Sequence, residues 1–273
     1  MFRKGFQCII MLFGYLFLTM YLPIPVNATL VLPQDVDNQL VKLVNECIFA
    51  EKNNKNWPEF CMKVSLNRNL NFTILNPKDG LGKLLLLPNE NIHGVEDVRL
   101  FDSITPSYFY FAWENRYLIE RKIKNKIGRK VYLKNQDYLL TLNAIQSRTQ
   151  DRLHIHMACI DREYQKKLLN YNNLKRYSFK WNKLPFIVEN PYTKQSMNFI
   201  AKKITLNDIR KGRVHRIIRE EFGDSYPNFG IAIWSISNTE FLLIVTNDSV
   251  LAAPGRILSD NGCSIIHTKR RLE

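Results

Sequence analysis

A hydrophobic run near the N-terminus most constrains how this 273-residue chain can fold, because it determines the compartment in which folding takes place. Arg3 and Lys4 precede an apolar segment that extends from Cys8 to about Val26. A positive N-terminal region followed by such a segment is the pattern of a secretory signal or of a membrane anchor. Under either interpretation, Arg3 and Lys4 stay in the cytoplasm and the bulk of the chain is exported.

The same segment allows two outcomes after export. Small residues at Val26-Asn27-Ala28 resemble a cleavage site for signal peptidase, whereas the apolar run with its flanks is long enough to stay in a thin bilayer. We favour retention and predict residues 1–28 as a hydrophobic anchor helix and residues 29–273 as one exported domain. This places the domain on the periplasmic side of the cell inner membrane, attached by a single N-terminal span.

Four cysteines follow the hydrophobic segment, namely Cys47, Cys61, Cys159 and Cys263. An even number of cysteines in an exported domain predicts two disulfides, because an oxidising compartment favours them. Three pairings are possible from the sequence alone. One of them joins Cys47 to Cys61 across a short loop, which leaves Cys159 and Cys263 to tie the C-terminus to a central strand.

The chain is strongly basic, with 39 Lys and Arg residues against 25 Asp and Glu residues and a formal charge of +14. Such a surface attracts nucleic acid, anionic lipid or a phosphorylated substrate. We exclude nucleic acid as the partner, because the sequence has no helix-turn-helix, zinc-finger or RNA-binding motif and the domain is exported. A membrane surface fits better, and the basic tail Lys269-Arg270-Arg271 can contact anionic headgroups.

The spacing of apolar residues predicts an α+β domain with short antiparallel strands and a few helices. Helical spacing covers residues 33–49, 107–125, 161–169 and 206–222. Strand-like runs cover residues 71–75, 83–87, 138–145, 153–160, 196–205, 230–236 and 240–246. Two hairpins are predicted. In one, strands 138–145 and 153–160 flank the polar loop 146–151, and in the other, strands 230–236 and 240–246 flank the tight turn 237–239.

One predicted strand carries two histidines. Arg152, His154 and His156 lie two residues apart, so they share one face of a strand while the apolar residues between them face the core. Imidazole can attack phosphorus and form a covalent intermediate, with a second histidine on a phosphate oxygen or the leaving group and the arginine on the developing charge. A zinc pair and a solvated polar face are the alternatives, although the other histidines show no ligand spacing.

The surroundings of the histidine strand are more specific than the histidine pair. The run from Leu142 to Ile160 resembles the histidine-triad superfamily, in its CDP-diacylglycerol pyrophosphatase branch. Shorter segments resemble the same branch, namely Glu46-Cys47, Leu84–Pro88, Ile92–Glu96, Thr105-Pro106 and Phe111–Arg116. The hydrophobic N-terminus and the four later cysteines also fit. The resemblance extends from about Val41 to Cys263 and is weakest over residues 161–230.

The resemblance implies a HIT-like antiparallel sheet with flanking helices and a role in phospholipid metabolism. The implied reaction is hydrolysis of the pyrophosphate of CDP-diacylglycerol to CMP and phosphatidate. His154 matches the nucleophile that attacks the α-phosphorus, and His156 matches the third histidine of the triad. Asn143 matches an upstream asparagine that contacts phosphate or ribose. The family implies no metal and no other cofactor, and its superfamily includes both dimers and internally duplicated monomers.

Arg152 departs from the pattern, because it stands where the superfamily has the first histidine. Arginine cannot accept a hydrogen bond, so an orienting role would pass to a backbone carbonyl, while the guanidinium could still attract phosphate oxygens. A degenerate member that binds nucleotide or CDP-lipid without turnover is the alternative. Arg148, Thr149 and Gln150 precede the strand and are predicted to bind the diphosphate or the cytidine, unless their loop only turns the hairpin.

Overall fold

The structure is a computed structural model that describes residues 39–248 and 251–266. The predicted anchor helix over residues 1–28 lies outside these ranges. Among the helices within them, none combines the length and the hydrophobicity needed to cross a membrane.

The described residues form an α+β structure, as predicted. Its strands are β1 (Cys61–Asn67), β2 (Leu70–Leu75), β3 (Lys83–Pro88), β4 (Tyr138–Leu142), β5 (Ile155–Ile160), β6 (Asn182–Lys183), β7 (Val188–Glu189), β8 (Ser196–Met197), β9 (Ile200–Thr205), β10 (Gly230–Ser235), β11 (Glu240–Thr246) and β12 (Ser259–Asp260). Its α-helices are α1 (Gln39–Lys52), α2 (Tyr108–Glu114), α3 (Leu118–Ile127), α4 (Arg162–Leu169), α5 (Tyr171–Leu174), α6 (Leu206–Arg210), α7 (Val214–Phe222) and α8 (Gly255–Leu258). Short 3₁₀ helices lie at Val98–Phe101, Asn135–Asp137, Ile145–Ser147 and Gly223–Asn228.

A ten-stranded sheet organises these elements. Its order is β1-β2-β3-β5-β4-β10-β11-β9-β6, and β12 pairs with β5 off this path. Each of these pairings is antiparallel, as is that of β7 with β8 in a separate two-stranded sheet. The histidine strand β5 therefore lies inside the sheet, with β3 on one side and β4 on the other.

The two faces of the sheet are covered differently. Helix α2 packs against β3, β4 and β5 on one face, where Ile155 and Met157 are buried with the apolar side chains of α2 and α3. Helix α1 covers β1 and β2 on the other face, where Val44 packs in a second cluster with Leu85. Helix α8 covers β4 and β5. Because Leu85 stands directly opposite His156 in register, the histidine lies on the face that carries α1.

Two predicted helices are each divided in two. The segment 107–125 breaks after Glu114, because Asn115 ends α2 by donating from its side chain to the Phe111 carbonyl oxygen at 2.8 Å. Lys63 of β1 donates to the same side chain at 2.7 Å. The segment 206–222 breaks at Gly212, whose φ of +66° cannot continue a right-handed helix. Helical spacing alone is not interrupted at either place.

The strand predictions are largely confirmed. Strands β10 and β11 form one predicted hairpin and β4 pairs with β5 as the other, while β2 pairs with β3. Strand β4 ends earlier than predicted, because residues 145–147 form a 3₁₀ turn. Strand β1 was not predicted, although apolar and polar residues alternate from Met62 to Asn67 in its sequence CMKVSLN, and it lies at the edge of the sheet.

Both disulfides are present with the pairing that closes the short loop. Cys47–Cys61 joins α1 to β1 across a sequence separation of 14 residues. Cys159–Cys263 joins β5 to the C-terminal segment across 104 residues. In the chain-entropy model, loops of these lengths stabilise the fold by about 3 and about 5 kcal/mol.

Candidate active site

The two histidines lie together at the start of β5. Their ring centroids are 4.8 Å apart with an interplanar angle of 69°. Leu153, Ile155 and Met157 are at most 1% exposed in the core on the opposite face. The predicted alternation of this strand is therefore confirmed for both histidines and for the apolar residues between and after them.

A backbone carbonyl orients His154. Nδ1 of His154 lies 2.7 Å from the carbonyl oxygen of Arg152, and a carbonyl can only accept a hydrogen bond. Nδ1 therefore carries the proton, and Nε2 keeps its lone pair. Arg152 thus supplies an orienting acceptor from its main chain, as the sequence led us to expect.

Burial keeps His154 neutral. The residue is 7% exposed, and loss of solvent lowers its pKa below the usual 6.5, against the opposing effect of the hydrogen bond to Arg152. The positive charges of Lys83 and Arg148 lower the pKa further. At neutral pH the imidazole is therefore a neutral group with an available nitrogen, which a nucleophile requires.

His156 is also held neutral in the absence of substrate. Burial, then His154, then the charges of Lys83 and Arg256 place its pKa well below 6.5. Its Nε2 is buried and has no hydrogen-bond partner within the described part of the chain. The same holds for Oγ1 of Thr141, which stands opposite His156 on β4. Buried polar atoms of this kind are characteristic of sites that accept a polar ligand.

A cavity of about 190 Å³ opens beside the histidines. The lining residues are Lys83, Asn143, Thr149, His154, His156, Ala158, Gly255, Arg256, Ser259 and Asn261. The structure therefore brings together four of the predicted site residues, His154, His156, Asn143 and Thr149. The cavity is smaller than a site that encloses a whole drug-sized ligand, and it suits the phosphate groups of a larger substrate.

Arg152 is not among the lining residues. Its side chain is 3% exposed, and its guanidinium donates to the carbonyl oxygen of Pro88 at 2.8 Å and to the Asn91 side chain. It thereby holds the end of β3 and the loop that follows. Alternation placed Arg152 on the histidine face, but residue 152 precedes β5, where regular alternation does not yet apply.

Arg148 and Gln150 also lie outside the lining. The Arg148 guanidinium forms ion pairs with Glu96 and Asp151, and Nδ1 of His93 lies 3.3 Å from Asp151. These contacts join the loop before β5 to the segment after β3. The half-buried Gln150 makes no contact with the cavity, so its predicted role and that of Arg148 in binding substrate stay predictions.

The lining also contains residues that the sequence did not single out. Lys83 lies at the start of β3, and its ammonium group is 2.6 Å from Asp79. Arg256, Ser259 and Asn261 belong to the C-terminal segment. The signal that could have indicated this segment is the Cys159–Cys263 pairing, because it ties the residues before Cys263 to the histidine strand.

The small polar cavity is surrounded by an oriented neutral imidazole, a second histidine, an amide and two cationic side chains. This arrangement defines an enzyme that acts on phosphate groups. The family comparison gives the reaction. Residues 35–267 match the CDP-diacylglycerol pyrophosphatase family, and the chain belongs to this family. It is a hydrolase of phosphoric anhydride bonds, and CDP-diacylglycerol is the substrate that the family implies.

Proposed function

We propose that this enzyme hydrolyses CDP-diacylglycerol through a covalent nucleotidyl intermediate on His154. Nε2 of His154 attacks the α-phosphorus, a nitrogen–phosphorus bond forms, and the bond from phosphorus to the bridging oxygen breaks. Phosphatidate leaves with that oxygen. Water then attacks the same phosphorus, the nitrogen–phosphorus bond breaks, and CMP leaves. The observation that carries the proposal is the 2.7 Å contact from Nδ1 to the Arg152 carbonyl oxygen, which directs the lone pair of Nε2 away from the backbone.

The other lining residues have complementary roles in this scheme. The diphosphate brings negative charge, which favours the protonated form of His156 and raises its low pKa on binding. The protonated ring can then donate to the oxygen that leaves with phosphatidate. Asn143 and Thr149 offer an amide and a hydroxyl to the nucleotide phosphate or the ribose.

The proposal includes the superfamily and the location. We place the chain in the histidine-triad superfamily with arginine at the first triad position, and the domain on the exported face of the inner membrane. Two disulfides support an oxidising compartment. The net charge of +14 supports contact with an anionic membrane surface, where a lipid nucleotide is found.

The decisive assay measures CMP released from CDP-diacylglycerol in detergent micelles, with EDTA present. We expect turnover by the full chain and no detectable turnover by His154→Ala. A chemical quench in alkali, which preserves phosphohistidine, should give a peptide that contains His154 with the added mass of a cytidylyl group. Full activity in His154→Ala would contradict the mechanism, and binding of CDP-lipid without turnover by the unmodified chain would indicate a degenerate member.

Arg129→Gln is a suitable control for preparation and folding, because Arg129 is exposed and does not line the cavity. We expect it to retain the activity of the unmodified chain. Arg152→His tests the first triad position separately. A large gain in rate would mean that arginine limits catalysis, whereas an unchanged or lower rate is expected if the backbone carbonyl already orients His154.

A further inference from the structure

Strand β5 gives the cavity two distinct ends. Thr141 of β4 stands opposite His156, so Asn143, two residues further along the antiparallel chain, lies level with His154. Lys83 of β3 stands opposite Ala158, two residues beyond His156 in the other direction. Two residues of an extended strand span about 7 Å. The amide and the nucleophile therefore lie at one end, Lys83 lies at the other, and His156 lies between them.

The C-terminal segment adds a second cation at the Lys83 end. Ser259 pairs with Ile160 near the end of β5, and α8 immediately precedes Ser259. Arg256 of α8 is exposed, and its guanidinium has no hydrogen-bond or ion-pair partner among the described residues. Both Lys83 and Arg256 depress the pKa of His156, so their charges act at the centre of the cavity.

We propose that Lys83 and Arg256 bind the leaving phosphate of the diphosphate, so that the substrate lies along β5 with its nucleotide phosphate at His154 and its lipid-bearing phosphate beside α8. This inference rests on the proposed attack by His154. It assigns the charge of the site to two residues that line the cavity, although Lys83 also pairs with Asp79. Arg152 lies outside the lining, where its guanidinium donates to Pro88 and Asn91. His156, between the two phosphates, is then adjacent to the bridging oxygen.

Both cations stand on backbone that one disulfide holds. Gly82, the neighbour of Lys83, donates its N–H to the Asn261 carbonyl oxygen at 2.9 Å. A Cβ atom at Gly82 would lie 2.6 Å from Cβ of Cys263, so β3 begins directly against the Cys159–Cys263 bridge. The start of β3 and the segment from α8 to Asn261 therefore form one wall, which we call the cationic wall, and its position relative to β5 is fixed by that bridge.

An equilibrium binding experiment tests the orientation without turnover. CMP and CDP are titrated into the full chain carrying His154→Ala, alone and with Arg256→Gln or Lys83→Gln added. Because only CDP has the second phosphate, we expect each added substitution to weaken CDP binding by about tenfold and to leave CMP binding within about twofold. Arg256→Lys should retain part of the preference for CDP, and Arg129→Gln should change neither affinity.

Equal weakening of CMP and CDP, or no change in either, would overturn the orientation. A kinetic arm uses p-nitrophenyl CMP, whose leaving group has no phosphate. We expect Arg256→Gln to lower kcat/KM for CDP-diacylglycerol by at least about tenfold while hydrolysis of the p-nitrophenyl ester is retained. The proposed function and the proposed orientation can fail independently. If the unmodified chain releases no CMP, the proposed function is contradicted, whereas the ratio of CDP affinity to CMP affinity tests only the contacts of Lys83 and Arg256 with the second phosphate.

Discussion

The contact between α8 and β4 allows a sharp test of how the cationic wall is positioned. A Cβ atom at Gly255 would lie 2.5 Å from Oγ1 of Thr141 and 3.5 Å from its Cβ. Thr141 is 1% exposed in an interior strand, so it cannot move away easily. In Gly255→Ala, helix α8 must therefore shift by about 1 Å to restore ordinary van der Waals contact.

We expect this shift to have two measurable effects. Overpacking of a buried contact lowers the free energy of unfolding by about 1 to 3 kcal/mol, which urea unfolding measures. The next residue is Arg256, so the guanidinium moves with the helix, and a displacement of about 1 Å reduces kcat/KM for CDP-diacylglycerol by about tenfold to a hundredfold. Binding of CMP to the His154→Ala form should change much less.

The companion substitution Thr141→Ala serves as the control. It removes Oγ1 and leaves Cβ, which is at the ordinary contact distance of 3.5 Å from the new methyl group. The double variant Gly255→Ala/Thr141→Ala should therefore regain most of the lost stability, giving a positive coupling in a double-mutant cycle. If Gly255→Ala matches the unmodified chain, or if the double variant is no better than Gly255→Ala, the assigned contact does not set the position of α8.

Three further predictions concern pH, Arg152 and the disulfides. The lowered pKa of His154 predicts that kcat/KM falls on the acid side with a midpoint below pH 6.5. Because the pKa values of His154, His156 and His215 are lowered in the folded chain, the unfolded chain binds protons on these three residues more readily near pH 6.5, and urea midpoints should also fall as pH drops below that value. Arg152→Ala removes the contacts to Pro88 and Asn91 and should lower the free energy of unfolding by about 2 to 4 kcal/mol, and an unchanged urea midpoint would contradict the structural role. Replacing both cysteines of Cys159–Cys263 by alanine should lower the free energy of unfolding by about 5 kcal/mol and weaken the binding of CDP relative to that of CMP. The same change at Cys47–Cys61 should lower the free energy of unfolding by about 3 kcal/mol and leave the ratio of CDP affinity to CMP affinity unchanged.

The local pattern of apolar and polar residues predicted those parts of the fold and the site that depend on residues close together in the sequence. Alternation along β5 placed His154 and His156 on one face and put Ile155 in the core, because these residues lie in or directly next to a regular strand. The turn between β10 and β11 made their hairpin predictable for the same reason. The division of the predicted helix at Asn115 could not be seen, because helical spacing continues across the residue whose side chain donates to the Phe111 carbonyl oxygen and accepts from Lys63 of a distant strand.

The second half of the cavity depends on pairings that no local pattern encodes. Lys83 reaches the histidines because β3 pairs with β5 across more than 60 residues of sequence, and Arg256 reaches them because β12 pairs with β5 from the C-terminal end. Arg152 shows a further limit of local reasoning. It has the spacing of a site residue, but it precedes the strand and its side chain binds the end of β3, so its predicted role in binding substrate stays a prediction.

For a domain exported as we propose, the Cys159–Cys263 bridge also determines when the site becomes complete during biosynthesis. The histidines are synthesised, and in our proposal exported, roughly one hundred residues before Cys263. The bridge can form only after Cys263 reaches an oxidising compartment, so a chain that is still in the reducing cytoplasm has the nucleophile without a fixed cationic wall. For a domain that folds after export, the enzyme would not be complete while it is still on the cytoplasmic side. CDP-diacylglycerol on that side would therefore be protected from hydrolysis without a separate inhibitor.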